Sequence, residues 1–185
     1  MIVLPPLTSP SPIGASDPPA AAAMLGPLRG LLAPRPGERI LEVGAGRGCY
    51  ALRVAAAVRP GGTVDIVDGH PEMLADAMRA AGARGLSNVA PTLGDARFLP
   101  FEDAAFDAVY LVAALGDMAD APAVLHELQR VLRPNGRLVV GELHGDPHRV
   151  APAKLEEYVA AARLRVGQRV DGLLGYVALL ERSGG

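Results

Sequence analysis

The stretch "ILEVGAGRGCY", residues 40–50, begins as an apolar run and breaks into three glycines spaced two apart, Gly44, Gly46 and Gly48. An apolar run that ends in glycines reads as a buried strand turning sharply at its carboxyl end. Glycines at such a turn accept positive φ and let the backbone approach a ligand closely. In an open parallel sheet, ligands sit beyond the carboxyl ends of the strands, where the strand order reverses. Two familiar loops fit poorly. A P-loop requires Gly-x-x-x-x-Gly-Lys-Ser/Thr, and neither a lysine nor a serine or threonine follows Gly48. A dinucleotide fingerprint requires Gly-x-Gly-x-x-Gly, and here the third glycine arrives one residue early, leaving Cys49 in its place.

Outward from this loop, strand and helix signals alternate. The first strand, "RILEV", leads to a helix near "CYALRVAAAVR" that stops at Pro60-Gly61-Gly62. "TVDIV" reads as the second strand and "PEMLADAMRAAGA" as a helix, with Pro71 suiting its first turn. A third strand lies near "NVAPTLG", where Pro91 predicts an edge position. "FDAVYLVAAL" is apolar without alternation, the pattern of a fully buried fourth strand. The helix "DAPAVLHELQRVLR" follows, with Asp120 or Asp117 as N-cap, and Pro134-Asn135-Gly136 ends it before a fifth strand, "RLVVGEL". One more helix, "PAKLEEYVAAARL", precedes a hairpin of "RLRVGQRV" and "LLGYVALLE" turning at Asp171-Gly172.

Upstream, "AAAAMLGPLRGLLAP" reads as a helix broken at Gly26-Pro27, and residues 1–19, rich in Pro and Ser, as a flexible arm. Repeated β-α units predict an α/β fold, a mostly parallel sheet with helices on both faces and a closing antiparallel hairpin, in one domain over residues 20–185.

Composition narrows the classes of function. At 185 residues the chain suits one domain, and no apolar stretch approaches the roughly 18–20 residues of a membrane span. The opening "MIVLPPLTSPSP" lacks the basic region and long apolar core of a secretory signal, so a cytoplasmic setting is expected. Cys49 is the single cysteine, which excludes an internal disulfide and a cysteine-cluster metal site. With a net charge of −2 and Lys154 as the only lysine, the chain shows no footprint for nucleic acid.

"LEVGAGRG" resembles the first motif of class I S-adenosylmethionine-dependent methyltransferases of the UbiE-like, type 11 group. The likeness continues through "VDGHPEMLADA", "GDARFLPFEDAAFDAVYL" and "LHELQRVLRPNGRLVV", so it covers residues 35–142 with the motifs in order. It implies a Rossmann-like, seven-stranded sheet and S-adenosylmethionine as cofactor. It also implies cofactor contacts from Gly44, Ala45, Gly46 and Gly48 of the loop, and from Asp68 and Gly69 after the second strand. Glu42 would lie near the ligand's amino end, Asp95 would accept from the adenine amino group, and the Ala96 and Leu111 backbones would add contacts. The residue chemistry is consistent with this: a carboxylate can accept from both ribose hydroxyls, and Asp68 follows the glycine loop at close to the roughly 20-residue spacing of such acids. The same carboxylate would serve NAD, and as a helix cap it would need no ligand at all.

The acceptor is less legible. Methyl transfer is an in-line displacement whose main demands are alignment and exclusion of water, so it needs a base only when the acceptor must lose a proton. The Asp/Asn-Pro-Pro-aromatic motif of amino-directed methyltransferases is absent; "LVAALGD" stands in its place, which points to a small-molecule acceptor. His144 and His148, in "ELHGDPH", are the candidate catalytic bases, and no metal site is expected. Two alternatives stand beside methyl transfer: a non-catalytic S-adenosylmethionine-binding module or partner subunit, and an NAD-type oxidoreductase, which the glycine spacing disfavours. A homo-oligomer is left open.

Overall fold

Continuous apolar runs with no polar alternation belong at the centre of a sheet covered on both faces. The computed structural model describes residues 19–183 and places them so. The chain runs α1 (Pro19–Leu32), β1 (Arg39–Val43), α2 (Ala51–Ala57), β2 (Thr63–Asp68), α3 (Pro71–Ala83), β3 (Val89–Leu93), β4 (Phe106–Val112), α4 (Ala121–Val131), β5 (Leu132–Leu143), α5 (Pro152–Ala161), β6 (Leu164–Gly172) and β7 (Gly175–Arg182). The strand order is β3-β2-β1-β4-β5-β7-β6, with β1 to β5 parallel and β7 antiparallel to both neighbours. Strand order reverses between β1 and β4, which sets the ligand crevice above those two strands.

The sheet divides two apolar cores. Ile40, Tyr110, Val139 and Val177 pack with α1, α2 and α3 on one face, while Leu41, Val109, Leu138 and Val140 pack with α4 and α5 on the other. Pro91 sits on β3, which pairs only with β2, as the edge expectation required.

Several boundaries differ from the sequence expectation. α1 is one helix through Gly26-Pro27, because the stripe Met24, Leu28, Leu31 and Leu32 stays buried across them, and tertiary packing overrides the local break. α2 is shorter than "CYALRVAAAVR", starting at Ala51 and stopping at Ala57. β4 stops at Val112 rather than Leu115: Ala113 has φ +50°, and a 3-10 turn follows over Leu115–Asp117. Asp120, not Asp117, caps α4, its Oδ1 accepting from the Ala123 N–H at 3.0 Å. Pro134-Asn135-Gly136 lies inside β5 as an irregularity, where pairing jumps from Phe106–Leu132 to Ala108–Arg137. The hairpin tip is Leu173-Leu174, not Asp171-Gly172; the pairing of Val170 with Val177 sets a register that carries Gly172 opposite Gly175. Pro19 is already the first residue of α1, and the expected Pro-rich arm over residues 1–18 lies outside the described residues.

Candidate functional site

The carboxyl ends of β1 and β2 meet at the glycine loop. Gly44 leaves β1 with φ +70°, its N–H donating to the Val67 carbonyl at 2.8 Å. A Cβ there would stand 2.5 Å from the Ala114 Cβ, so the residue is required by space as well as by φ. Gly46 has φ +51° and turns its N–H to Asp68 Oδ2 at 2.8 Å. Gly48 is a packing glycine against Ala77 of α3.

A cavity of about 390 Å³ opens above this turn, lined by Gly44, Gly46, Asp68, Gly69, Asp95 and Ala96 among others. Six of the sequence-predicted cofactor residues therefore share one wall. A Cβ built on Gly46 or Gly69 would meet no protein atom within 4 Å, so both leave room for a ligand against bare backbone. Asp68, at the end of β2, is buried; Oδ1 accepts from the His70 N–H at 2.9 Å and contacts His70 Nδ1 at 3.1 Å. A carboxylate offers about four lone-pair sites, so these contacts and that from Gly46 leave capacity for a ligand hydroxyl. The residues thus fit a ligand that brings a hydroxyl to Asp68 and lies against the bare backbone of Gly46 and Gly69.

The remaining predicted residues are placed otherwise. Asp95 lines the cavity, but its carboxylate grips Arg97, accepting from Nη2 at 2.6 Å and from the Arg97 N–H at 2.9 Å. Those bonds hold Asp95 below the usual carboxylate range. The Asp95 carboxylate is thus already engaged by Arg97. Glu42 lies beneath the loop rather than on the cavity wall, fully buried, with Oε2 accepting from the Tyr110 hydroxyl at 2.8 Å. Burial pushes its carboxyl up to about 8, opposed by bonds from Tyr110 and the Ala51 N–H. Ala45 is in the core, and Leu111 is wholly buried within β4. The cavity is met instead by Ala113 and Ala114, because the chain rises out of the sheet only after Val112.

Of the two candidate histidines, neither lines the cavity. His148 backs it, its Nδ1 paired with Asp117, which does line it. His144 sits farther out, its N–H held by the Leu174 carbonyl at 2.9 Å and its ring against Arg149. Sequence reasoning missed Arg97, Ala113, Ala114, Asp117 and Met118 as cavity residues. Only Arg97 carried a local signal, since an Asp two residues before a backbone N–H favours the turn it makes here. The others enter through the positive-φ turn at Ala113, which an alanine does not advertise. Among the described residues no cluster of His, Cys, Asp or Glu is arranged to hold a metal ion, and no helix is long and apolar enough to cross a membrane.

Residues 40–136 match the model of the family described as "Methyltransferase domain". Nocamycin O-methyltransferase of Saccharothrix syringae is 38% identical over 143 residues, 77% of this chain and 49% of that protein. Demethylmenaquinone methyltransferase of Thermus thermophilus is 46% identical over 146 residues, 79% of this chain and 66% of that protein. The chain spans about half the length of most curated relatives it matches. Among solved structures, a SAM dependent methyltransferase from Aquifex aeolicus superposes with TM-score 0.74 at 22% identity, covering 89% of this chain and 98% of that one. The [4+2]-cyclase SpnF superposes with TM-score 0.72 at 29% identity, covering 80% of this chain and 58% of that one.

Proposed function

The chain belongs to the methyltransferase domain family, and from that premise we propose that it transfers a methyl group from S-adenosylmethionine to a small-molecule acceptor. The observation that carries this reading is the wall shared by Gly44, Gly46, Asp68 and Gly69, a nucleoside-sized cavity with bare backbone on one side and a partly engaged carboxylate on the other. When bound, S-adenosylmethionine supplies an electrophilic methyl carbon on a positively charged sulfur. The chain's own work is to orient it. Asp68 is set to take a ribose hydroxyl, Gly46 and Gly69 leave space against bare backbone, and Ala96 and Met73 border the adenosine side. Glu42 supports the loop from beneath, and its closeness to the ligand's amino end is part of the same reading. The net charge of −2 favours a small acceptor over nucleic acid.

Thermal shift tests the donor assignment. A ligand at 100 times its Kd adds about 2.7 kcal/mol to stability, so S-adenosylmethionine or S-adenosylhomocysteine should raise the Tm and NAD should not. No response to either sulfur ligand at high concentration would sink the reading. Asp68→Ala should abolish the response.

The likeness to a protein described as a [4+2]-cyclase favours a second reading, in which the same cavity holds the cofactor without methyl transfer. Formation of S-adenosylhomocysteine over time separates the two: tight binding without product across a broad acceptor panel supports the second.

A further inference from the structure

The end of the cleft formed by the loops after β4 and β5 carries polar groups that the donor assignment leaves unused. Asp117 closes the 3-10 turn after β4 and lines the cavity beside Ala113, Ala114 and Met118. Its carboxylate pairs with His148 Nδ1, and the Asp117 and His148 side chains are 32% and 44% exposed, so the pair runs from the cavity wall to solvent. The two loops interlock: a Cβ on Gly116 would stand 1.7 Å from the His148 carbonyl oxygen, so only a glycine permits the approach. Asp146 Oδ1 accepts from the His148 N–H at 2.8 Å and fixes that turn. Beneath it Glu142, 1% exposed, accepts from the Val150 N–H at 3.1 Å through Oε2 and leaves Oε1 without a partner among the described residues. This end of the cleft is thus acidic, with Arg149 opposing Asp117, Asp146 and Glu142.

Resting on the methyl-transfer reading, we infer that Asp117 is the proton acceptor for the methyl acceptor, that His148 is the residue positioning it, and that the acceptor is a neutral molecule bearing a weakly acidic hydroxyl, a phenol or an enol. The acceptor oxygen forms its bond to the methyl carbon as the methyl–sulfur bond breaks, and sulfur keeps the bonding pair and becomes neutral. The hydroxyl proton passes to Asp117 and then to water. A neutral hydroxyl becomes strongly acidic only as the new bond forms, so an ordinary carboxylate is base enough once it is held in place. An anionic carboxylate acceptor would meet like charge from Asp117 with Glu142 behind it. An alkyl amine would be kept protonated there, and so without a lone pair to attack.

The test uses two phenols, 4-methylphenol, neutral at pH 8, and 4-nitrophenol, ionised at that pH, with S-adenosylhomocysteine affinity measured alongside by calorimetry. Asp117→Asn should lower kcat on 4-methylphenol about 100-fold and leave kcat on 4-nitrophenol, whose anion needs no base and is repelled by Asp117, undiminished or raised, with S-adenosylhomocysteine affinity unchanged. His148→Phe should reproduce that pattern, and His148→Asn, whose amide can replace the Nδ1 donor, should restore most of the rate. Thermal melts of each variant confirm that it is folded. Equal losses on both phenols would overturn the inference, as would loss of S-adenosylhomocysteine binding in Asp117→Asn. A wild-type protein that binds S-adenosylhomocysteine but methylates neither phenol would overturn it too. A wild-type protein that does not bind S-adenosylhomocysteine fails the methyl-transfer reading instead.

Discussion

Glu42 and Glu142 are both buried carboxyls on interior strands of one sheet, and the protein accommodates them differently. Glu42 shares the face of Ile40, toward α1, α2 and α3, and is served by two donors, the Tyr110 hydroxyl and the Ala51 N–H. Glu142 shares the face of Val140, toward α4 and α5, and has the Val150 N–H alone. Burial raises both, Glu42 to about 8 and Glu142 to about 7. The better-bonded group is the more shifted one because it is the more completely desolvated, and in the low-dielectric interior desolvation outweighs two hydrogen bonds. The contrast follows the cleft. The glycine-loop end is bedded on a carboxyl served by two donors, and the opposite end leaves a carboxyl with one donor under a loop.

This comparison can be broken in solution. A carboxyl raised in the folded state binds more protons there than in the unfolded chain, so its contribution to stability is complete below about pH 4.5 and is lost as pH rises through the folded value. For Glu42 the loss approaches roughly 5 kcal/mol by pH 8.5. Urea titrations across pH 5 to 9 should show Glu42→Gln removing that decline, since an amide keeps the acceptor for Tyr110. An unchanged profile would mean that Glu42 is hydrated in solution.

Glu142→Gln should remove a smaller decline, roughly 3 kcal/mol, that ends about one pH unit lower. If the two declines end at the same pH, the faces are not distinct. Asp68→Ala tests the donor wall itself. It strands the Gly46 and His70 N–H groups and should cost about 2 kcal/mol in chemical denaturation. No cost would mean that water replaces the carboxylate at both groups. The smallest effect is expected at Asp120→Ala, which removes the α4 cap for about 1 kcal/mol and leaves the shape of the pH profile untouched.

Much of this fold was legible because its signals are local. An apolar run without alternation at residues 106–112 can only be a strand covered on both faces, and Pro91 could only stand at an edge. Where the expectation failed, a distant partner overrode a local preference. The α1 stripe carried a helix through Gly26-Pro27, and the β7 register moved the hairpin tip onto two leucines, one of them 93% exposed. The site divides in the same way. Gly44, Gly46, Asp68, Gly69, Asp95 and Ala96 line one cavity, because each sits within three residues of a strand end and strand ends share one edge of the sheet.

The sequence by itself determined the alternation of strands and helices, the glycine turn and the residues at the strand ends that line the cavity, since glycine spacing and strand-end carboxylates act over a few residues. Only the tertiary structure decided what Glu42, Leu111 and Asp117 do. Glu42 and Leu111 are buried and do not line the cavity, while Asp117 was weighed only as a helix cap and stands in the cavity wall, paired with His148. Depth beneath a surface and contact between two loops 31 residues apart depend on how β4, β5 and their helices pack, and no local pattern encodes that distance.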